Sequence, residues 1–269
     1  MQENQDDPSR LTVAQTLESL SLDFLSLGQS SIIIRAVDIF HQTVVIENSE
    51  INTIGRALEF STDSLNSFFN FGDHILSAIG TIDISHQESV KTKIQEGIEY
   101  AFRGSLSNEP AGNAPINLQG TSISASAVKI NVDGLTDSST TTFTSPQGTD
   151  VIITIPKTVA EAHNYLQLIS IMTNDQVYST KSVNAGSSLK TGMLKVTLDQ
   201  TEASMSVSES KVKSSKMNVA NLTDPIVIEI PFEGKIQERD TLSCVYSKKS
   251  GDIISSEGIS TLILDNSVK

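Results

Sequence analysis

Tryptophan is missing from this 269-residue chain, and Cys244 is its only cysteine. A lone cysteine excludes an intrachain disulfide and any multi-thiolate metal centre. On a strand such a residue reads as a small buried hydrophobe. A disulfide-free chain commonly belongs to a reducing compartment. A chain of this length also holds together without cross-links, so that inference decides little. Positive charge is scarce too: 19 Lys and Arg stand against 32 Asp and Glu, a net charge of −13. A phosphate backbone calls for clustered Lys and Arg, so nucleic acid is excluded as a partner. Docking on an anionic membrane surface is excluded on the same ground. The acidity reads as solubility.

Long apolar runs are lacking as well. The longest, such as Ile32-Ile33-Ile34 and Val151-Ile152-Ile153, fall far short of the ~20 residues that span a bilayer. The first residues, Met1-Gln2-Glu3-Asn4-Gln5-Asp6-Asp7, are polar and acidic, unlike a signal peptide. The expectation is therefore that an extracellular chain of this kind is an excerpt of a longer protein.

The common signatures of chemistry are absent in turn. No Gly-x-Ser-x-Gly elbow occurs, and no glycine-rich phosphate loop. His41, His74 and His86 are too widely spaced for a local zinc motif. Asn131-Val132-Asp133-Gly134-Leu135-Thr136-Asp137 has oxygens for calcium but lacks the glutamate of an EF-hand loop, so it reads as a turn. The expectation is no catalytic residue, no metal site and no cofactor. Lys211-Val212-Lys213-Ser214-Ser215-Lys216 reads as a solvated basic loop. Asn221-Leu222-Thr223 is the one N-glycosylation sequon, with Asn221 as acceptor beside the turn residues Asp224-Pro225.

What is present divides near residue 105. Before it, the apolar period is helical. Val13, Leu17, Leu20, Phe24 and Leu27 form one stripe, started at Pro8-Ser9 and stopped at Gly28. Val37, Phe40 and Val44 fit a second helix over 32–46, and Ile51, Ile54 and Leu58 continue the pattern. Leu65, Phe68, Phe69, Ile75, Leu76 and Ile79 predict a helix bent near Gly72. Val90, Ile94, Ile98, Ala101 and Phe102 predict another over 87–102, with Gly104 as its stop. Residues 105–115 hold two prolines and a glycine and read as a linker.

After the linker the period becomes two. Strands are predicted over 122–130, 151–155, 166–172, 189–198, 203–207, 226–230, 241–246 and 261–264. Pro156 and Pro231 each close a strand by withdrawing a ladder donor. Turn signals at Asp133-Gly134, Pro146-Gln147-Gly148, Asn184-Ala185-Gly186 and Ser250-Gly251-Asp252 separate these runs. Many short strands without alternating helices indicate a sandwich. The predicted class is α+β: an N-terminal α-helical subdomain over 1–104, a linker over 105–120, and a twisted antiparallel β-sandwich over 121–269.

The order of these elements, together with Asp224-Pro225-Ile226-Val227-Ile228-Glu229-Ile230-Pro231 and a cysteine thirteen positions further on, resembles the GAIN domain of adhesion receptors and polycystins. In that family a helical subdomain precedes a twisted β-sandwich that ends in the GPS motif. Cys244-Val245-Tyr246-Ser247 resembles the first part of that motif, and Ser255-Ser256-Glu257-Gly258-Ile259 the second, so Cys244, Tyr246 and Gly258 would be its residues. Residues 121–132 resemble the family's opening strand, and 150–156 the strand ending in Ile-Pro. The resemblance covers about residues 85–269 and reaches the earlier helices only by class.

The departures are specific. The second cysteine of the motif falls at Ile259, and its tryptophans fall at Ser247 and at Ile254 or Ser255. Members that cleave themselves carry His-Leu followed by Thr or Ser, where histidine takes the hydroxyl proton and the oxygen attacks the preceding carbonyl. His41, His74, His86 and His163 are followed here by Gln42, Ile75, Gln87 and Asn164. The resemblance thus implies a degenerate, non-enzymatic module without self-cleavage. It implies a place on the extracellular face of a larger membrane protein, at the cell surface or cilium. Its partners would be the rest of that protein, namely a following β-strand and a transmembrane region, and an extracellular protein ligand. Ile226, Ile228, Ile230, Val245 and Leu262 are the expected core contacts around the following strand. Two other readings stay open. One is a secreted or surface adhesin that shares only the sandwich and carries no helical layer on its sheets. The other is a hydrolase with a dispersed site.

Overall fold

The computed structural model describes residues 35–38, 41, 62–107, 109–133, 135–160, 165–174, 191–201, 214–216, 223–230, 232, 246–247 and 254–255. The architecture is α+β, helices first and two antiparallel sheets after them. Residues 35–38 and 41 are helical, and Ala36 and Val37 are buried in the helical core. The stripes predicted at 13–27 and 51–58, and the rest of 32–46, lie outside the described residues.

Helix α1 (Thr62–Ser77) buries Leu65, Phe68, Phe69, Phe71, Ile75 and Leu76. Such spacing puts an apolar stripe on one side of a helix. A single 3₁₀ turn (Ile79–Thr81) reverses the chain into α2 (Ile84–Ser107), which buries Val90, Ile94, Ile98 and Phe102 against α1. Helix α1 runs unbroken through Gly72, where a bend was expected. Gly72 serves close packing instead: a Cβ there would collide with Ile94 and Ile98 of α2. Gly104 does not stop α2, which continues to Ser107 and buries Leu106. A mid-helix glycine costs about 1 kcal/mol, less than burying a leucine contributes. The stretch 105–120 is therefore more than a linker, since it holds the last turn of α2 and strand β1 (Ile116–Gln119).

The first sheet, A, has five strands in the order β1-β2-β5-β6-β7. They are β1, β2 (Ile123–Asn131), β5 (Tyr165–Thr173), β6 (Met193–Thr201) and β7 (Ser214–Lys216). The second, B, orders β3 (Ser138–Thr144), β4 (Asp150–Pro156) and β8 (Val227–Glu229) as β3-β4-β8. A two-stranded ribbon, C, pairs β9 (Tyr246–Ser247) with β10 (Ile254–Ser255). One helical turn, α3 (Lys157–Ala160), follows β4.

Sheet A is covered on both faces, and its register shows how. Ile123, Ala125 and Ala127 of β2 stand opposite Thr173, Ile171 and Ile169 of β5. Their apolar members join the helical core with Phe68, Ile94 and Ile98. The alternate positions, Val128, Ile130, Leu166, Leu168 and Met172, join Phe143, Val151, Ile153 and Ile155 of sheet B in a second core. The fold thus has three layers: helices, sheet A and sheet B. Double coverage explains why β2 and β5 are buried along nearly their whole length. It also explains Ala125 and Ala127, whose small side chains let the helices come close.

Candidate functional site at the helix–sheet seam

Apolar packing joins the helices to sheet A, and two polar anchors fix their position. The first is Asp73. It sits inside α1, next to the glycine that touches α2, and is only 9% exposed. Its Oδ1 accepts the backbone N–H of Ser122 at 2.7 Å and of Ile123 at 3.1 Å. Its Oδ2 accepts the N–H of Thr121 at 3.0 Å and the Thr121 hydroxyl at 3.1 Å. Three consecutive amides form a concave donor set suited to an anion. Here the anion belongs to the chain itself, and it ties α1 to the start of β2. Gly120 makes this approach feasible, because a Cβ at that position would overlap the carboxylate.

The second anchor lies at the other end of the seam. Glu99 and Arg103, one turn apart on α2, meet Lys195 and Asp199 of β6. Arg103 Nε donates to Asp199 Oδ2 at 2.6 Å, and its Nη2 donates to Glu99 Oε1 at 2.5 Å and to Asp199 Oδ1 at 3.3 Å. Lys195 Nζ stands 2.6 Å from Glu99 Oε2. The two carboxylate side chains are each 1% exposed, and the Arg103 side chain 14%. Burial pushes the guanidinium down. The Asp199 hydrogen bond and the charges of Glu99 and Asp199 outweigh it, so the group ends above its ordinary range. Arg103 also lies over the Tyr100 ring, 4.9 Å from its centre. The two acidic and two basic groups balance, which is the condition for holding such charges out of water.

The same row of sheet A continues from Asp199 through Gln167 to Lys129. Lys129 Nζ donates to the Glu109 carbonyl at 3.1 Å, and the Lys129 carbonyl accepts the Gly112 N–H at 2.8 Å, so β2 holds the α2–β1 connection. Burial pushes the Lys129 ammonium below its ordinary value, and the nearby Glu109 charge opposes this.

The residues singled out in the sequence are not gathered at this seam. Tyr246 lies in ribbon C, opposite Ser255. Cys244, Gly258 and Asn221 lie outside the described residues, as do Val245 and Leu262. Strand β8, from the Asp224–Pro231 segment, belongs to sheet B, whereas the first and second parts of the motif-like segment meet in the β9–β10 pair of ribbon C. Ile226 and Ile230 pack half-buried against the inter-sheet core. Ile228 does not: it is 41% exposed, on the edge strand of sheet B. His41 pairs with Glu96 at 3.1 Å, His74 lies in α1 and His86 in α2, while His163 is outside the described residues. Among the described residues no cluster of three His, Cys, Asp or Glu has the spacing to hold a metal.

Asp73, Glu99, Arg103 and Asp199 were passed over in the sequence. A signal existed for each. Asp73 interrupts an apolar helical stripe beside a glycine. Glu99 and Arg103 have helical spacing next to buried Ile98 and Phe102. Lys195 and Asp199 share one face of a strand.

No protein-family model and no curated protein matches this sequence. The fold itself does have a counterpart. The full extracellular region of zebrafish Gpr126/Adgrg6 superposes with a TM-score of 0.59 at 12% identity, over 94% of this chain and 32% of that one. This chain therefore spans about a third of the length of that structure and shares its fold over that part.

Proposed function

We propose that this chain is a non-enzymatic scaffold module on the extracellular side of a larger adhesion-receptor-like or polycystin-like membrane protein. In this reading it bears load and holds a following β-strand, without cutting itself. The observation that carries the reading is the helical layer fastened to sheet A by Asp73 and by the Glu99–Arg103–Asp199–Lys195 cluster. A sandwich serving only as an adhesin does not require such a layer. Anchors at both ends of one seam suit a part that passes force between two subdomains. The likeness of fold to an adhesion receptor's extracellular region supports the same setting.

Strand β8 offers the place for added strand pairing. Among the described residues it is an edge strand, between Pro225 and Pro231 in the sequence, with Val227 and Ile228 exposed. A partner strand there would complete the ladder and cover those side chains. Asn221, beside the exposed Thr223-Asp224 turn, is the proposed glycosylation site. No step in this role calls for a cofactor or nucleic acid.

The test is to express the full-length gene product in cells and label the surface of intact cells. The expected result is a surface-labelled protein that runs as one uncut chain and shifts on glycosidase treatment. A product confined to the cytosol overturns the extracellular reading. Two fragments separating within this region overturn the non-cleaving one.

A further inference from the structure

The face of sheet A that looks toward sheet B is not uniformly apolar. Val128, Leu168 and Met172 share it with two facing serines: the register sets Ser126 of β2 opposite Ser170 of β5. Ser124 follows on the same face, since side chains on a strand alternate. All three serines are at most 1% exposed. The Oγ of each finds no hydrogen-bond partner among the described residues. Facing hydroxyls elsewhere do meet: Thr140 and Thr154 bring their Oγ1 atoms to 3.3 Å across β3 and β4. Ser126 and Ser170 do not, although nothing exposes them to bulk solvent.

A buried hydroxyl without a partner is destabilising, and native interiors relieve the deficit with ordered water. Serine is shorter than the Leu and Met residues beside it, so the facing serines take up less of the space between the sheets than their neighbours do. The polar character also continues outward. Asn117 and Gln119 of β1 stand opposite Ser126 and Ser124 and are exposed, which gives a polar path from the sheet edge to the serines.

We infer that Ser124, Ser126 and Ser170 form a site for buried water between the two sheets, bridged hydroxyl to hydroxyl and exchanging past the β1 edge. The ligand is water, bound by three donor–acceptor groups on two adjoining strands.

The test is water-to-amide magnetisation transfer on the labelled full chain, with Ser126→Ala, Ser170→Ala and the double variant. Long-lived water cross-peaks to the amides of 126 and 170 are expected in the native protein and are expected to vanish in the double variant. Each single variant is expected to lower the melting temperature by about 2–4 °C, and the double by less than the sum, because the serines share the same water. Absence of cross-peaks from the native protein overturns the inference. So do alanine variants as stable as the native chain, which would mean a dry site. The native cross-peaks decide the matter even if a variant fails to fold.

Discussion

Replacing Asp73 with alanine strips one acceptor group from four donors at once. The Ser122 and Ile123 amides are left buried and unpaired, while the Thr121 amide and hydroxyl, being half exposed, can turn to water. A hydrogen bond to a charged group contributes about 1.5–3 kcal/mol. Two buried bonds of that kind, reduced by the relief of no longer burying a carboxylate, give an expected loss of about 3–4 kcal/mol. Asp73→Asn should fall between, near 2 kcal/mol. Its amide oxygen can keep the Ser122 and Ile123 bonds, but its nitrogen would then face the Thr121 donors. Urea unfolding of the full chain measures both variants, and hydrogen exchange at Thr121, Ser122 and Ile123 locates the effect. A loss below about 1 kcal/mol for Asp73→Ala, or unchanged exchange at those amides, would refute the argument.

Gly120→Ala should cost about 2–3 kcal/mol in the native background and far less beside Asp73→Ala, since its methyl collides with that carboxylate; additive losses in a double-mutant cycle would contradict this. Arg103→Met should cost about 3–5 kcal/mol by leaving Asp199 buried without its cation and Glu99 with Lys195 alone. The combined Glu99→Leu, Arg103→Met and Asp199→Leu variant should lie much closer to the native stability, and thermal unfolding compares the two. Lys129 has its folded value lowered by burial. The unfolded chain therefore holds this proton to higher pH, and the lysine's contribution to stability rises as pH climbs from the folded value toward the ordinary lysine range. Lys129→Met should remove that alkaline gain, seen as a wild-type-minus-variant stability difference that changes with pH; a flat difference would contradict it.

Much of the layer order was legible because periodicity reports burial directly. The helical stripes at 65–76 and 90–102, and the alternation at 122–130 and 151–155, predicted α1, α2, β2 and β4 nearly in place. Strand β3 was missed because Ser138-Ser139-Thr140-Thr141-Thr142 carries almost no apolar signal; it pairs with β4, exposing Ser138, Thr140 and Thr142 while Thr141 and Phe143 turn inward. Strand β1 was missed because prolines and a glycine precede it and mask a short edge strand. Gly72 and Gly104 misled in the same way. Glycine breaks a helix on average, but close packing of α2 at Gly72 and burial of Leu106 beyond Gly104 reverse that preference here. The seam was illegible because its residues are far apart in sequence: Asp73 meets 121–123, and Arg103 meets Asp199. A single sequence marks such polar residues only as interruptions of a stripe. Of Cys244, Tyr246 and Gly258, read from similarity of order, only Tyr246 lies among the described residues, where it stands opposite Ser255 of the second motif-like part.

The account stands or falls on α1 and α2 being a structural layer of sheet A rather than an appendage beside it. Native-state hydrogen exchange under mild denaturant measures this directly. The amides of Ile75 and Ile98 should open with the same free energy and the same denaturant dependence as those of Ala125 and Ile169. Helical amides that exchange through a separate, cheaper opening, while β2 and β5 stay protected, would contradict it.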